Sequence, residues 1–254
     1  AAAEAHYRPL MADRMAPAES GSLLLSPATG AGRQNVAPSV SPDGTRLLYI
    51  SEKDLFSFDL YLADARTGET IRRLSSAAAD PHTDALRFID SSGGWSPDSR
   101  SVAFVVFAGG RNEIVIADAE RGRETRRITM ERELGEVSGP VWSPDGRSMV
   151  FSGQRDGSTD LYLLDLETEE VTPLTRDRHA ALQPTFSPDG RTVAFVSDRG
   201  PETDFRDLVF SEMQIALLDL ETRRVEALQI FGNVRHSNPQ FTSDGRGLYF
   251  LSDP

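Results

Sequence analysis

A tetrapeptide, Ser-Pro-Asp-Gly or a near copy of it, occurs five times in this 254-residue chain. The copies are VSPDGTRLLYIS from Val40, WSPDSRSVAFVV from Trp95, WSPDGRSMVFSG from Trp142, FSPDGRTVAFVS from Phe186 and FTSDGRGLYFLS from Phe241, and they superimpose without gaps. Their aspartates, Asp43, Asp98, Asp145, Asp189 and Asp244, lie 55, 47, 44 and 55 residues apart. In such a turn Pro presets φ at the first corner, Asp bonds back to the backbone and Gly accepts positive φ. The segment therefore ends one strand and starts its antiparallel neighbour. Those are a hairpin's requirements, not a catalyst's.

A second element follows each of the first four copies: DLYLADARTGETIRRLS from Asp59, EIVIADAERGRETRRIT from Glu113, DLYLLDLETEEVTPLT from Asp160 and QIALLDLETRRVEALQ from Gln214. Each complete unit thus holds four short strands, the second an alternating run such as Thr192 to Val196. One four-stranded sheet with two apolar faces cannot bury itself. Stacking such sheets face to face around an axis covers both faces, and a repeat of about 40 to 50 residues with four strands predicts a β-propeller. Helical repeats do not fit, because the runs have period two and are interrupted by Gly and Pro. The expected fold is all-β, with four complete antiparallel blades and part of a fifth, starting near residues 37, 93, 139, 183 and 238.

The ends of the chain carry further expectations. The fifth blade stops after its second strand, and GSLLLSPATGAGRQNVAPS from Gly21 reads as a lone fourth strand that could close a ring. On this reading the chain is a piece of a longer protein whose propeller has six or more blades, with open edges that invite association. Residues 1–20 contain AEAHYRPLMADRM, rich in helix formers, and end near Ala16-Pro17. They are expected to be a short N-terminal helix or the end of a preceding domain, with the propeller spanning 21–254. Ser99 in place of the turn Gly and Ser243 in place of the turn Pro predict two less rigid turns.

The Pro-x-(aromatic)-Ser-Pro-Asp-Gly-Arg start, as in Pro184 to Arg191, and the Leu-Tyr-Leu-x-Asp continuation, as in Leu161 to Asp165, resemble TolB-type WD-repeat-like blades. Blades of this type occur in periplasmic TolB and in the propellers of tricorn and prolyl-oligopeptidase-like proteases. The resemblance covers about Ser22 to Pro254 and implies the fold; its matching residues are structural and imply little about function. It also implies a periplasmic or exported bacterial location. The stretch DLFSFDLYLADA is similar to large exported proteins that place such a propeller behind a metallopeptidase-like domain.

Composition narrows the function. With 39 acidic against 27 basic side chains and no basic cluster, the chain would repel a phosphate backbone, so a nucleic-acid partner is not expected. The absence of cysteine excludes disulfides and thiolate metal sites. No run approaches the roughly 20 apolar residues needed to span a bilayer, so this segment is not expected to insert directly into a membrane. Gly-x-Ser-x-Gly, His-Glu-x-x-His and a Gly-rich phosphate loop with Lys are all missing, so neither catalysis nor a cofactor is expected.

Function must then reside in loops. In a propeller, the first-to-second and third-to-fourth connections share one face, and here they are short and uniform. The second-to-third and blade-to-blade connections share the other face and vary: Ser75 to Gly94, Met130 to Gly139, and the insertion Gly200 to Glu212. Variable loops on a rigid scaffold are where binding resides. The candidate binding residues on this face are His82, Asp84, Arg87, His179, Glu202, Asp204, Phe205, Arg206, Asp207 and His236.

Two readings compete at each feature. His82, His179 and His236 could form a metal or pH-sensitive site at the channel mouth with Asp80 or Asp84, or be unrelated loop residues; the absence of His-x-x-x-His spacing favours the second. The insertion, with Glu202, Asp204, Asp207 and Glu212 around Phe205, Arg206 and Phe210, could dock a partner through aromatic anchors or be a hairpin kept soluble by charge. In DPHTDALRFIDSSGG, Leu86, Phe88 and Ile89 suit packing over a blade. Asp64, Asp118, Asp165 and Asp219 recur once per blade and are expected to cap turns, with no Asp-x-Asp-x-Asp-Gly calcium loop. The function expected is a non-catalytic scaffold binding a protein or peptide through the loop-rich face, with flanking domains in the parent chain. The alternative is the substrate-gating propeller of a peptidase whose catalytic domain lies elsewhere.

Overall fold

The structure, a computed structural model, describes residues 24–53, 58–75, 85–86, 93–231 and 234–253. Blade I contains β1 (Asn35–Val40), β2 (Arg46–Ser51), β3 (Asp59–Asp64) and β4 (Thr70–Ser75) in that spatial order. In blade II, β5 (Ala85–Leu86) and β6 (Gly94–Trp95) both pair along β7 (Ser101–Ala108), which is followed by β8 (Arg111–Asp118) and β9 (Glu124–Thr129). Blade III is β10 (Glu136–Trp142), β11 (Ser148–Arg155), β12 (Ser158–Asp165) and β13 (Val171–Pro173). Blade IV is β14 (Leu182–Phe186), β15 (Thr192–Ser197), β16 (Gln214–Asp219) and β17 (Val225–Ala227). A two-stranded sheet, β18 (Arg235–Phe241) and β19 (Leu248–Asp253), packs on blade IV. The fold is the β-propeller that the repeat predicts. Among the described residues the only helical element is the 3-10 turn Pro27–Thr29.

Period-two alternation builds the core. In β7, Val102, Phe104 and Val106 pack toward blade I with Leu48, Ile50, Leu60 and Leu62, while Ala103 and Val105 pack toward blade III with Met149 and Phe151. In β11, Val150 turns the other way, joining Val193, Phe195 and Leu218 of blade IV. A register slip of one residue would exchange these sets, so each strand's register is fixed by two neighbouring blades at once. Polar contacts cross the same junctions: Trp95 Nε1 donates to Ser39 O (3.0 Å), and Arg126 Nη2 pairs with Glu169 Oε1 (2.7 Å). At Gly94 an added Cβ would lie 2.3 Å from Pro140 O, so blades II and III approach there too closely for any side chain.

The repeated turns share one hydrogen-bond pattern. In the third copy Ser143 Oγ donates to Asp145 Oδ1 (2.6 Å), Arg147 N donates to the same carboxylate oxygen (3.0 Å), and Ser148 N donates back to Ser143 Oγ (3.0 Å). The copies at Asp43, Asp98, Asp189 and Asp244 repeat the side-chain bond at 2.6 Å, Thr242 standing in for Ser in the last. Ser99 adopts φ +61, as the turn glycines do near +70, and its hydroxyl accepts from Asp43 N of the preceding blade (3.0 Å). The substitution thus exchanges glycine's conformational freedom for a bond between blades. Asp64, Asp165 and Asp219 each cap the next turn through a backbone N–H and a threonine hydroxyl, as in Thr67 N to Asp64 Oδ1 (2.8 Å). At Asp118 the bond comes from Arg121 N (2.6 Å), Arg121 standing where the other turns have threonine.

One expectation is corrected. Of the segment from Gly21 expected to be a lone fourth strand, residues 21–23 lie outside the described residues, and Leu24 to Arg33 form no strand: Ser26 precedes a 3-10 turn with Pro27 in its first position, and Gly30 closes it at φ +84. Pro27 lacks the N–H a ladder needs, while Thr29 Oγ1 bonds to Ser26 O (3.0 Å) and holds the turn. Leu24, Leu25 and Ala31 instead cover Leu47, Tyr49 and Tyr61 on the face of blade I away from blade II. Residues 1–20, Phe88 and Ile89 lie outside the described residues, and Leu86 extends the inner edge of β7.

The turn carboxylates couple the fold to pH. Hydrogen bonds from Ser143 and Arg147 N hold Asp145 below the ordinary 3.8, and those from Ser41 and Thr45 lower Asp43 to about 2. A carboxylate with a lowered folded pKa stabilises the fold above its unfolded value, and that contribution is lost as pH falls through the folded value. Asp145→Asn should therefore lower the Tm at pH 7, and its gap to the parent chain should narrow as pH falls below the ordinary 3.8. Thermal scans at pH 7 and at acid pH check this, and a gap independent of pH refutes it.

Candidate functional site

The insertion that sets blade IV apart begins where β15 ends. Asp198 is buried, and its Oδ1 accepts from Ala180 N (2.9 Å) and meets His179 Nδ1 (3.2 Å). Arg199 Nη2 pairs with Asp177 Oδ2 (2.5 Å), its Nη1 donates to Ser197 Oγ (2.6 Å), and its guanidinium lies 5.3 Å from the Phe195 ring. The blade-to-blade loop Asp177 to Ala180 is thus fastened to the root of the insertion by two carboxylates. Toward blade III, Thr175 Oγ1 donates to Asp160 Oδ1 (2.7 Å); burial pushes the Asp160 carboxyl up, and the Thr175 bond opposes this.

Beyond this root the chain folds into a short hairpin. Asp204 and Val209 form an antiparallel bridge with N to O distances of 2.8 and 3.0 Å. Asp204 Oδ1 caps the tip by accepting from Arg206 N (2.7 Å). Thr203 Oγ1 donates to Asp198 O (2.5 Å) and accepts from Ser211 N (2.9 Å), tying both arms to the root. Phe205 folds inward, its ring 4.9 Å from His179, 4.7 Å from the Arg178 guanidinium and 6.1 Å from Phe210. The other arm faces solvent: Leu208, Val209 and Phe210 are 71%, 49% and 54% exposed. Glu202, Asp204, Arg206, Asp207 and Glu212 are exposed around them.

The candidate histidines separate. His82, Asp80, Asp84 and Arg87 lie outside the described residues. His179 is engaged with Asp198 and Phe205. His236 is not in a loop as its sequence position suggests but in β18, where its backbone N donates to Met213 O (2.8 Å). Its ring is fully buried between Phe231 and Phe250, at centroid distances of 6.0 and 5.0 Å, and neither ring nitrogen has a hydrogen-bond partner. Among the described residues no group of three His, Cys, Asp or Glu is placed to hold a metal ion. The anchor Asp177 and the exposed Leu208 and Val209 escaped the sequence reading; three consecutive apolar residues in an otherwise acidic, non-alternating insertion were the signal that could have found them.

A second feature is the axial channel, a cavity of about 630 Å³ walled by the inner strands of all five sheets. At Ala37, Gly139, Gln183 and Asn238 the backbone takes φ between +50 and +57 immediately before a proline, and the pairing register shifts there. Proline has no N–H to give the ladder, so these four inner strands bulge where they line the channel. Gln183 Oε1 accepts from Asn238 N (2.8 Å), bridging two of these bulges. Among the described residues no ionisable side chain lines the channel, although the chain carries a net charge of -12.

Comparison with known proteins agrees with this architecture. The family described as TolB beta propeller domain matches residues 87–214. TolB of Acinetobacter baumannii superimposes with a TM-score of 0.62 at 22% identity, over 91% of this chain and 62% of that one. A protein of Agrobacterium tumefaciens described as TolB gives 0.66 at 26% identity, over 86% of this chain and 74% of that one. A puromycin-hydrolyzing peptidase of Mycobacterium tuberculosis gives 0.55 at 17% identity, over 80% and 32%. The chain therefore spans less than two thirds of the first of these proteins and a third of the peptidase. Among the described residues no helix is long and apolar enough to cross a membrane.

Two substitutions probe the site's framework. Asp198→Ala removes a buried acceptor shared by two loops and should cost about 2 kcal/mol, with faster amide exchange at Ala180. Phe210→Ser, on the solvent side, should change stability by less than about 0.5 kcal/mol. Equal losses in the two variants would show that the exposed arm is structural. Separately, burial holds the His236 pKa below its ordinary 6.5, so the unfolded ring takes a proton that the folded one resists. Its contribution is fully present above pH 6.5 and is lost as pH falls below it. His236→Phe should flatten the decline in Tm between pH 7.5 and about 5, and an unchanged slope refutes this.

Proposed function

Because the chain belongs to the TolB β-propeller domain family, we propose that it is a non-catalytic propeller binding a protein or peptide partner through its loop-rich face. One observation carries the reading: three consecutive exposed apolar residues, Leu208, Val209 and Phe210, stand on a hairpin whose root is fixed by buried Asp198 and by Arg199. Soluble proteins rarely hold such residues rigidly in water without a partner to cover them. Preorganisation lowers the entropy lost on docking, so a fixed hairpin binds better than a floppy one. Glu202, Asp204, Arg206 and Asp207 form the polar rim, and Phe205 with His179 holds the hairpin from beneath. The candidates His82, Asp84 and Arg87, which lie outside the described residues, are assigned to the same face by this reading. His236, sealed in β18, serves the packing of the last sheet on blade IV rather than contact with the partner.

In this reading the protein is periplasmic or exported, residues 1–20 are a separate segment, and the propeller of 21–254 continues in a longer parent chain. A second reading is favoured by the channel: a neutral, main-chain-rich passage of about 630 Å³ suits an extended peptide, and peptidases are among the proteins of similar fold. There the propeller would gate substrate for a catalytic domain outside this chain.

Photo-crosslinking in the cell separates the two. With a crosslinking amino acid at position 210, the parent protein should yield a discrete adduct, whereas placement at Glu167, on the uniform face, should yield none. Adducts from position 240 in the channel but none from position 210 would favour the gating reading. Silence at position 210 alongside an adduct at Glu167 would remove the loop-face assignment.

A further inference from the structure

The surface presented by the hairpin is specific in charge as well as in shape. Leu208, Val209 and Phe210 are bordered by exposed Glu202, Asp204, Asp207 and Glu212, four carboxylates against the single Arg206. Among the described residues Glu202, Asp207 and Glu212 have no ion-pair partner, while the nearby cations Arg178 and Arg199 are occupied by the Phe205 ring and by Asp177. The apolar surface continues past the hairpin root: Phe231 is 59% exposed and shares with Glu202 and Glu212 the wall of a small cavity of about 70 Å³. Unpaired charge bordering an apolar patch attracts the opposite charge, and it repels a partner of its own sign.

We infer that the partner's contact segment is cationic and amphipathic: a stretch of chain with two or three apolar side chains flanked by Lys or Arg. The apolar side chains cover Leu208, Val209 and Phe210 and reach toward Phe231. The cations meet Glu202, Asp207 and Glu212. The inference rests on the loop-face reading above and names the chemistry of that site's occupant. Carboxylate-rimmed apolar surfaces of this kind draw most of their attachment from the buried anchors, and they draw rate and selectivity from the rim.

The test uses the full 254-residue chain and three fluorescent peptides of equal length: alternating Lys with Leu and Phe, the same with Glu for Lys, and the same with Ser for the apolar residues. Anisotropy titrations should show binding of the first peptide alone. That binding should weaken several-fold as salt is raised past the point where the screening length falls to about 3 Å. The double variant L208S/F210S, whose changes lie on exposed positions, should weaken it by about tenfold or more. The charge reversal E202K/D207K should lose the Lys peptide and gain the Glu peptide. Equal binding of the Lys and Glu peptides, equal binding of the Ser peptide, or indifference to both variants overturns the inference. A cellular adduct at position 210 without binding of any peptide refutes the stated partner chemistry and leaves the loop-face reading standing. Loss of the adduct as well removes both.

Discussion

Blades II, III and IV are apolar on both faces, and each of those faces is covered by a neighbouring sheet. β7 illustrates the constraint: Phe104 and Val106 need blade I, and Ala103 and Val105 need blade III. An inner blade is stable only between neighbours, so the sheets stand or fall as a stack, with Leu24, Leu25 and Ala31 covering the outer face of blade I. Two further properties follow. The turns that join inner to second strands must be compact, because adjacent blades bring them side by side, as Asp43 N and Ser99 Oγ show. Only connections that leave the stack are free to lengthen.

That freedom is used unevenly. Blade IV spends it on the hairpin between β15 and β16, and the molecule then fastens the hairpin back onto the scaffold through Asp198, Arg199 and Thr203. A long loop would ordinarily be mobile. Here charge pairs at its root and the stack of Arg178, Phe205 and His179 set its direction, leaving one arm of apolar side chains in solvent. The same economy is absent from the channel, where proline-induced bulges supply a neutral lining from the backbone itself.

Much of this was legible in the residue order, for identifiable reasons. Ser-Pro-Asp-Gly encodes its turn through local bonds, so Asp145 and its counterparts could be assigned without knowing any neighbour. Asp64, Asp165 and Asp219 cap their turns through residues two or three positions away, equally local contacts. Leu24 to Arg33 misled because its leucines suggest a strand, whereas Pro27 and Thr29 close a 3-10 turn and blade I supplies the apolar surface for the leucines. His236 looked like a loop residue because its neighbours are polar; only the packing of β18 on blade IV buries it. The insertion was legible as a location, through its length and acidity, but its geometry was not.

The sequence by itself determined the strands, their turns, the two-sided alternation and hence the blades, because each depends on residues close together in the chain. Tertiary structure alone decided which side chains meet between loops: Asp177 with Arg199, Ala180 with Asp198, and Phe205 against His179. Those partners lie some 18 to 26 positions apart on loops whose paths are set by the stacking of the sheets. Their contacts follow from where the scaffold places the loop ends, and no local pattern encodes that.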